Sequence, residues 1–195
     1  MTKESTRVTL QDVRFSYAHV FKPYAFDGDS EKADYSVQII IDKTNHKALA
    51  DIKYAIELAK ERGRTSRWGG TIPAGLRMPL RDGDVERPDD DNYAGKYFLN
   101  ARTKQKPQVV DRAVCPILDP EEFYSGCYGN VSLVFYPYSA SGNKGISAGL
   151  GNVQKIKDGE RMDGGVSAKA DFGTMGYANA QDNGAQDDDY LADIL

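Results

Sequence analysis

The chain has 195 residues, a formal net charge of −4, 40% hydrophobic and 28% charged residues, and a mean hydropathy of −0.58. That length suits one packed domain with an appendage, and no apolar run approaches the roughly 20 residues needed to cross a bilayer. The charge is uneven: residues 1–157 hold 23 Lys and Arg against 20 Asp and Glu, whereas residues 158–195 hold 2 against 9, so a mildly basic body able to meet phosphates carries a strongly acidic end.

Residues 1–11 contain neither an apolar h-region nor a small-residue cleavage site, so no secretory signal is expected and the protein should stay inside the cell. Val8, Leu10, Val13 and Phe15 then predict a strand with one face on a core, and Gln11 marks a β-bulge between the two apolar pairs. A polar turn follows at residues 27–30, with Gly28 inside it. Tyr35, Val37, Ile39 and Ile41 next alternate with Ser36 and Gln38 in the clearest strand of the chain.

Over residues 45–62 the spacing changes to three and four, at Leu49, Ile52, Ile56 and Ala59. This predicts an amphipathic helix, with Thr44 as N-cap and Gly63 as its stop. Residues 64–92 read as a long loop, with extended pieces near residues 76–80. Further strands are expected at residues 95–103, 128–138 and 146–153, with a short one around Val109 and Val114. Beyond residue 157 the composition of Gly, Ala, Asp, Asn and Gln predicts a disordered tail. The domain reading is therefore 1–157 and 158–195. A mainly β fold with one main helix suits a closed or partly closed barrel better than an α/β sheet, and a sandwich is the alternative.

Lys60, Arg62, Arg64, Arg67, Arg77 and Arg81 surround Trp68, the single tryptophan, with only Glu61 opposing them. Cations that displace counterions from phosphates, interleaved with a ring on which a base can stack, fit a single strand held without sequence preference. The competing reading is a solvated loop with Trp68 as a core plug. In residues 95–103, Tyr97, Leu99 and Ala101 are expected to face the core. Lys96, Phe98, Asn100 and Arg102 then face out, followed by Lys104 and Lys106. On the strand at 128–138 the outward set includes Tyr128, Asn130, Ser132, Tyr136 and Tyr138. The candidate groove is therefore Arg64, Arg67, Trp68, Lys96, Phe98, Arg102, Lys104, Lys106, Tyr136 and Tyr138.

Other chemistry is weaker. Asp82, Asp84, Glu86, Asp89, Asp90 and Asp91 raise the alternative of a metal-dependent nuclease, yet they lack calcium-loop spacing and a neighbouring catalytic His or Lys motif. His19 and His46 lie far apart and belong to no nucleophile motif. Cys115 and Cys127 suggest two buried free thiols, without disulfide or metal. No cofactor is indicated. The terminus joins Asp187, Asp188, Asp189 and Asp193 to Tyr190, Leu191, Ile194 and Leu195, which fits an apolar tip docking in a partner's pocket with carboxylates on a basic rim. A pure interaction module without nucleic-acid binding is the third reading.

Glu122-Phe123-Tyr124-Ser125-Gly126 leads into residues 131–138. Gly145-Ile146-Ser147-Ala148-Gly149-Leu150-Gly151-Asn152-Val153-Gln154 and then Asp158-Gly159-Glu160 follow. With these motifs the chain resembles the bacteriophage single-stranded DNA-binding proteins. The resemblance implies an OB-fold that protects single-stranded DNA in phage replication, recombination and repair, without catalysis. It also implies an acidic tail for replication or recombination partners, room for a homo-oligomer, and a site of action in the cytoplasm of an infected or lysogenic bacterial host. Two departures stand out: the predicted helix follows the second strand rather than the third, and the tail ends in Ile194-Leu195 where such tails often end in Phe.

Overall fold

A computed structural model describes residues 5–25 and 28–162. Seven strands form one sheet: β1 (Arg7–Tyr24), β2 (Asp34–Asp42), β3 (Arg81–Asp82), β4 (Lys96–Thr103), β5 (Val109–Val110), β6 (Tyr128–Ala140) and β7 (Asn143–Lys157). The helices are α1 (His46–Ser66) and the single turn α2 (Gly83–Glu86).

The strand order is β3-β4-β2-β1-β6-β7-β5, with a further pairing between β4 and β7. That parallel seam, Ala101 opposite Ala148 and Arg102 opposite Gly149, closes β1, β2, β4, β7 and β6 into a five-stranded OB-like barrel. Closure removes the exposed edges that an open sheet would leave. The helix lies between the second and third barrel strands, as the order of elements in the sequence predicts. It packs chiefly on β6 and β1.

β1 runs past the expected Phe15 to Tyr24 because two irregularities let it bend. Its register with β6 slips between Leu10 and Val13, where Asp12 has φ 52°. Its register with β2 slips between Ser16 and His19, where Tyr17 has φ 46°. The first is the bulge expected beside Gln11. The second breaks the period-2 pattern, which is why the second half of the strand was not legible.

The barrel interior is built from Leu10, Val13 and Phe15 on β1, Val37, Ile39 and Ile41 on β2, and Leu99 and Ala101 on β4. Val131, Leu133 and Phe135 of β6 and Ile146, Ala148, Leu150 and Val153 of β7 complete it. Each buried Val, Leu, Ile or Phe among them contributes about 1.5–3 kcal/mol relative to exposure. Phe135 stands opposite Ala148, a large residue against a small one, as a narrow barrel requires.

Helix α1 buries Ala48, Leu49, Ile52, Ala55, Ile56, Ala59 and Gly63, the stripe expected from its spacing. Its ends differ from expectation. The N-cap is Asn45, whose side chain accepts from Ala48 N at 3.1 Å, rather than Thr44. Nor does Gly63 stop the helix, which continues to Ser66. A Cβ on Gly63 would lie 2.7 Å from the Trp68 ring and from Pro137, so glycine is there for close packing of the indole.

A second, smaller core lies outside the barrel wall. Residues 83–95 fold back over the start of β4, and Tyr93 packs with Ile40 and Phe98. This explains why β2 is buried on both faces at residues 37–41. Ile40 is the apolar residue that interrupts the polar face of that strand. Among the described residues, no helix is long and apolar enough to cross a membrane.

Candidate nucleic-acid interface

Two concavities share Asn100 and Arg102 on the outer face of β4. One, of about 380 Å³, is lined by Tyr17, Tyr24, Lys32, Ser36, Gln38 and neighbours. The other, of about 820 Å³, is lined by Arg77, Met78, Arg81, Tyr136, Tyr138, Ser147 and neighbours. Together they form one groove across the barrel wall from β1 to β6, with cations on its sides and rings at both ends.

The backbone places these groups deliberately. Arg77 is pinned where its N–H donates to Lys144 O at 3.0 Å and Ile146 N donates to Arg77 O at 2.9 Å. That approach needs Gly145, because a Cβ there would sit 2.4 Å from Arg77 O. Arg81, in β3, stands opposite Phe98, carries its guanidinium 5.2 Å from that ring, and pairs with Glu86. At the other end Tyr17 projects from its bulge and Tyr24 stacks on His19, with centroids 4.5 Å apart and planes at 12°. Both tyrosines are more than half exposed. Burial pushes the His19 pKa down.

Of the residues expected from the sequence, Arg102, Tyr136 and Tyr138 converge in this groove. Lys104 lies at its margin, bonded to Asp34 at 3.0 Å and to the Glu31 and Ala33 carbonyls. Lys106 is exposed beyond β4. Arg64 and Arg67 are exposed at the end of α1, outside both concavities, and Arg64 pairs with Glu61. Lys96 stands at the opposite end of β4, where it pairs with Asp42.

Two expectations are corrected. Trp68 is 6% exposed, wedged against Gly63 with its Nε1 donating to Tyr138 O at 3.3 Å, so the plug reading holds and no ring face is open to a base. Phe98 does lie on the outer face of β4, as the alternation predicts, but it is fully buried. Tyr93 meets its edge at 5.3 Å, and the Arg81 and Arg87 guanidinium groups cover it. Cys115 is likewise exposed rather than buried, whereas Cys127 is buried and its thiol is pushed up to about 11 by burial. Asp111 holds the tight turn that presents Cys115, accepting from Ala113 N and Cys115 N at 2.8 Å each.

Sequence reasoning left Tyr17, Tyr24, Lys32, Arg77, Arg81 and Asn100 out of the groove. Arg77 and Arg81 stood within the basic stretch, and Asn100 on the outward face, so their signals were present. Tyr17 and Tyr24 lie beyond the bulge and carried none.

Asp82, Asp84, Glu86 and Asp90 of the acidic stretch are held by protein partners. Lys43 bonds Asp82 at 2.7 Å and Asp84 at 2.6 Å. Asp82 caps α2 through Asp84 N, Asp84 accepts from Gly95 N at 2.8 Å, and Asp90 accepts from Asn92. Among the described residues no group of three or more His, Cys, Asp or Glu is placed to hold a metal ion. The chain leaves β7 still bound to the barrel. Tyr124 Oη bonds Asp158 and Gly159, Met162 N donates to Ser125 O at 2.9 Å, and Met162 packs on the Ile40, Tyr93 and Phe98 cluster. The tail residues Asp187, Asp188, Asp189, Tyr190, Leu191, Asp193, Ile194 and Leu195 lie outside the described residues.

A closed OB-like barrel with a cationic, ring-ended groove across one wall is the architecture of a nucleic-acid binder. The family model of the single-stranded DNA-binding protein of Enterobacter phage Enc34 matches residues 6–190, and the chain belongs to that family. The family is one of binding proteins rather than enzymes. Protein p50 of Acyrthosiphon pisum secondary endosymbiont phage 1 is 30% identical over 187 residues, which is 90% of this chain and 97% of that protein. Among solved structures, the single-stranded DNA-binding protein from bacteriophage Enc34 in complex with ssDNA is similar at TM-score 0.70 and 27% identity, covering 83% of this chain and 95% of that one. Gp2.5, a single-stranded DNA-binding protein encoded by bacteriophage T7, shares the fold at TM-score 0.54 and 16% identity, covering 86% of this chain and 99% of that one.

Proposed function

We propose that this protein binds single-stranded DNA without marked sequence preference, in the groove that crosses β1, β2, β4 and β7, and protects it during phage replication, recombination and repair. The observation that carries this reading is the junction at Asn100 and Arg102, where the two concavities meet. There a strand can lay phosphates against Arg77, Arg81 and Arg102 while its bases reach Tyr17 and Tyr24 at one end and Tyr136 and Tyr138 at the other. The similar Enc34 protein in complex with ssDNA supports the same ligand. Residues 158–195 act as the acidic arm that recruits replication or recombination proteins, through the carboxylates and apolar tip of residues 187–195.

The test is fluorescence anisotropy with labelled oligo-dT and a matching duplex, across a salt series without magnesium. Binding to the single strand well above the duplex is expected. Its log affinity should fall with log salt at a slope near −0.7 for each phosphate neutralised. Equal binding to both, or none, would overturn the reading.

A further inference from the structure

A polar row crosses the groove floor, although neighbouring positions of the same strands are apolar. Ser16 on β1 stands opposite Gln38 on β2, and Gln38 stands opposite Asn100 on β4. Ser16 and Gln38 are buried, so their polar atoms must find partners within the protein. Tyr93, carried over the wall by residues 83–95, supplies the missing one.

The hydrogen bonds of this row run in one direction. Burial raises the Tyr93 phenol pKa, and a hydrogen bond with Ser16 opposes that rise. The Tyr93 hydroxyl donates to Gln38 Oε1. With its oxygen taken, Gln38 donates through Nε2 to Asn100 Oδ1 at 2.9 Å. The Asn100 amide is thus held with its oxygen inward and its NH2 toward the groove. A free asparagine would present either atom, whereas this one offers donors only.

We infer that Asn100 is a pre-oriented binding contact of the groove, whose NH2 donates to an acceptor oxygen of the bound strand. Tyr93 and Gln38 are the positioning residues that hold that orientation. The inference rests on the reading that the groove holds single-stranded DNA. The acceptor is either a base carbonyl, present on thymine and absent from adenine, or a phosphodiester oxygen, common to every strand.

The experiment compares the full chain with Asn100→Ala, Asn100→Asp, Tyr93→Phe and the double variant Tyr93→Phe/Asn100→Ala, on oligo-dT, oligo-dA and an abasic strand of equal length. Asn100→Ala should weaken binding about five- to tenfold, the worth of one net hydrogen bond. Asn100→Asp keeps the acceptor for Gln38 and reverses only the outward atom, so it should weaken binding further, including at salt high enough to screen its charge. Tyr93→Phe frees the Gln38 amide to turn and should give a smaller loss. The double variant should bind no more weakly than Asn100→Ala alone, a non-additivity that general loosening would not produce. Loss confined to oligo-dT assigns the acceptor to a base carbonyl, and equal loss on all three strands assigns it to the phosphodiester. Unchanged affinity in Asn100→Ala beside a binding unaltered protein would overturn the role of Asn100 alone. No binding by the unaltered protein would overturn the groove itself.

Discussion

Trp68 and Arg102 both stand in segments where cations and rings alternate, yet they occupy opposite environments. Trp68 closes the end of the barrel beneath α1, so Trp68→Ala should lower stability by about 3–5 kcal/mol, the usual cost of emptying a buried aromatic site. A thermal melt reads that loss directly. Arg102 is exposed at the crossing of the two concavities. Arg102→Ala should leave the melting temperature nearly unchanged, weaken oligo-dT binding, and reduce the salt slope by about 0.7. The opposite pattern, with a stable Trp68 variant that has lost binding, would return the indole to the groove.

Among the elements, the excursion at residues 83–95 decides how much of β4 can meet a ligand. Lys43 tethers it through Asp82 and Asp84. The bond from Lys43, and then that from Gly95 N, holds the Asp84 carboxyl below the ordinary carboxylate range. A depressed acid contributes stability above its unfolded pKa and loses it as pH falls through the folded one. The excursion should therefore loosen as pH drops below about 4, the usual aspartate value. Amide exchange at Tyr93 and Gly95, taken relative to the intrinsic rate at each pH, should quicken over that range in the native chain. In Asp84→Asn it should be quick already at neutral pH and show less acid dependence, and identical profiles would remove Lys43 and Asp84 as the tether.

The same elements mark what the sequence could disclose. Period-2 alternation placed β2, β4 and β6, and three-and-four spacing placed α1, because each packs one regular face on the barrel interior. Phe98 was assigned to the correct face but to the wrong environment. The cover comes from Tyr93 and Arg87, on a segment with no periodicity of its own. Ile40 was the one local trace of that cover, an apolar residue at a polar-face position. Tyr17 and Tyr24 were hidden by the second bulge, where a change of register moves side chains to the other face.

At the scale of the whole molecule, the basic body and the acidic residues 158–195 have opposite charge and are joined covalently, which raises their effective concentration for one another. A chain ending before Asp187 should bind oligo-dT several-fold more tightly at low ionic strength. The difference should fade above about 0.15 M salt, where the Debye length is about 8 Å. No difference at low salt would mean that the terminal acidic residues do not compete for the groove.

The seam between β4 and β7 has a consequence for the order in which the protein becomes functional. β7 is the last barrel strand in the chain, and it alone joins β4 to β6. During synthesis the earlier strands must wait with bare edges, which invites pairing with sister chains. Arg102 gains its neighbour across the seam, and Arg77 its bond to Ile146, only when that strand arrives. A product whose translation stops before β7 therefore lacks the seam that closes the barrel and the contacts that set Arg77 and Arg102 in the groove.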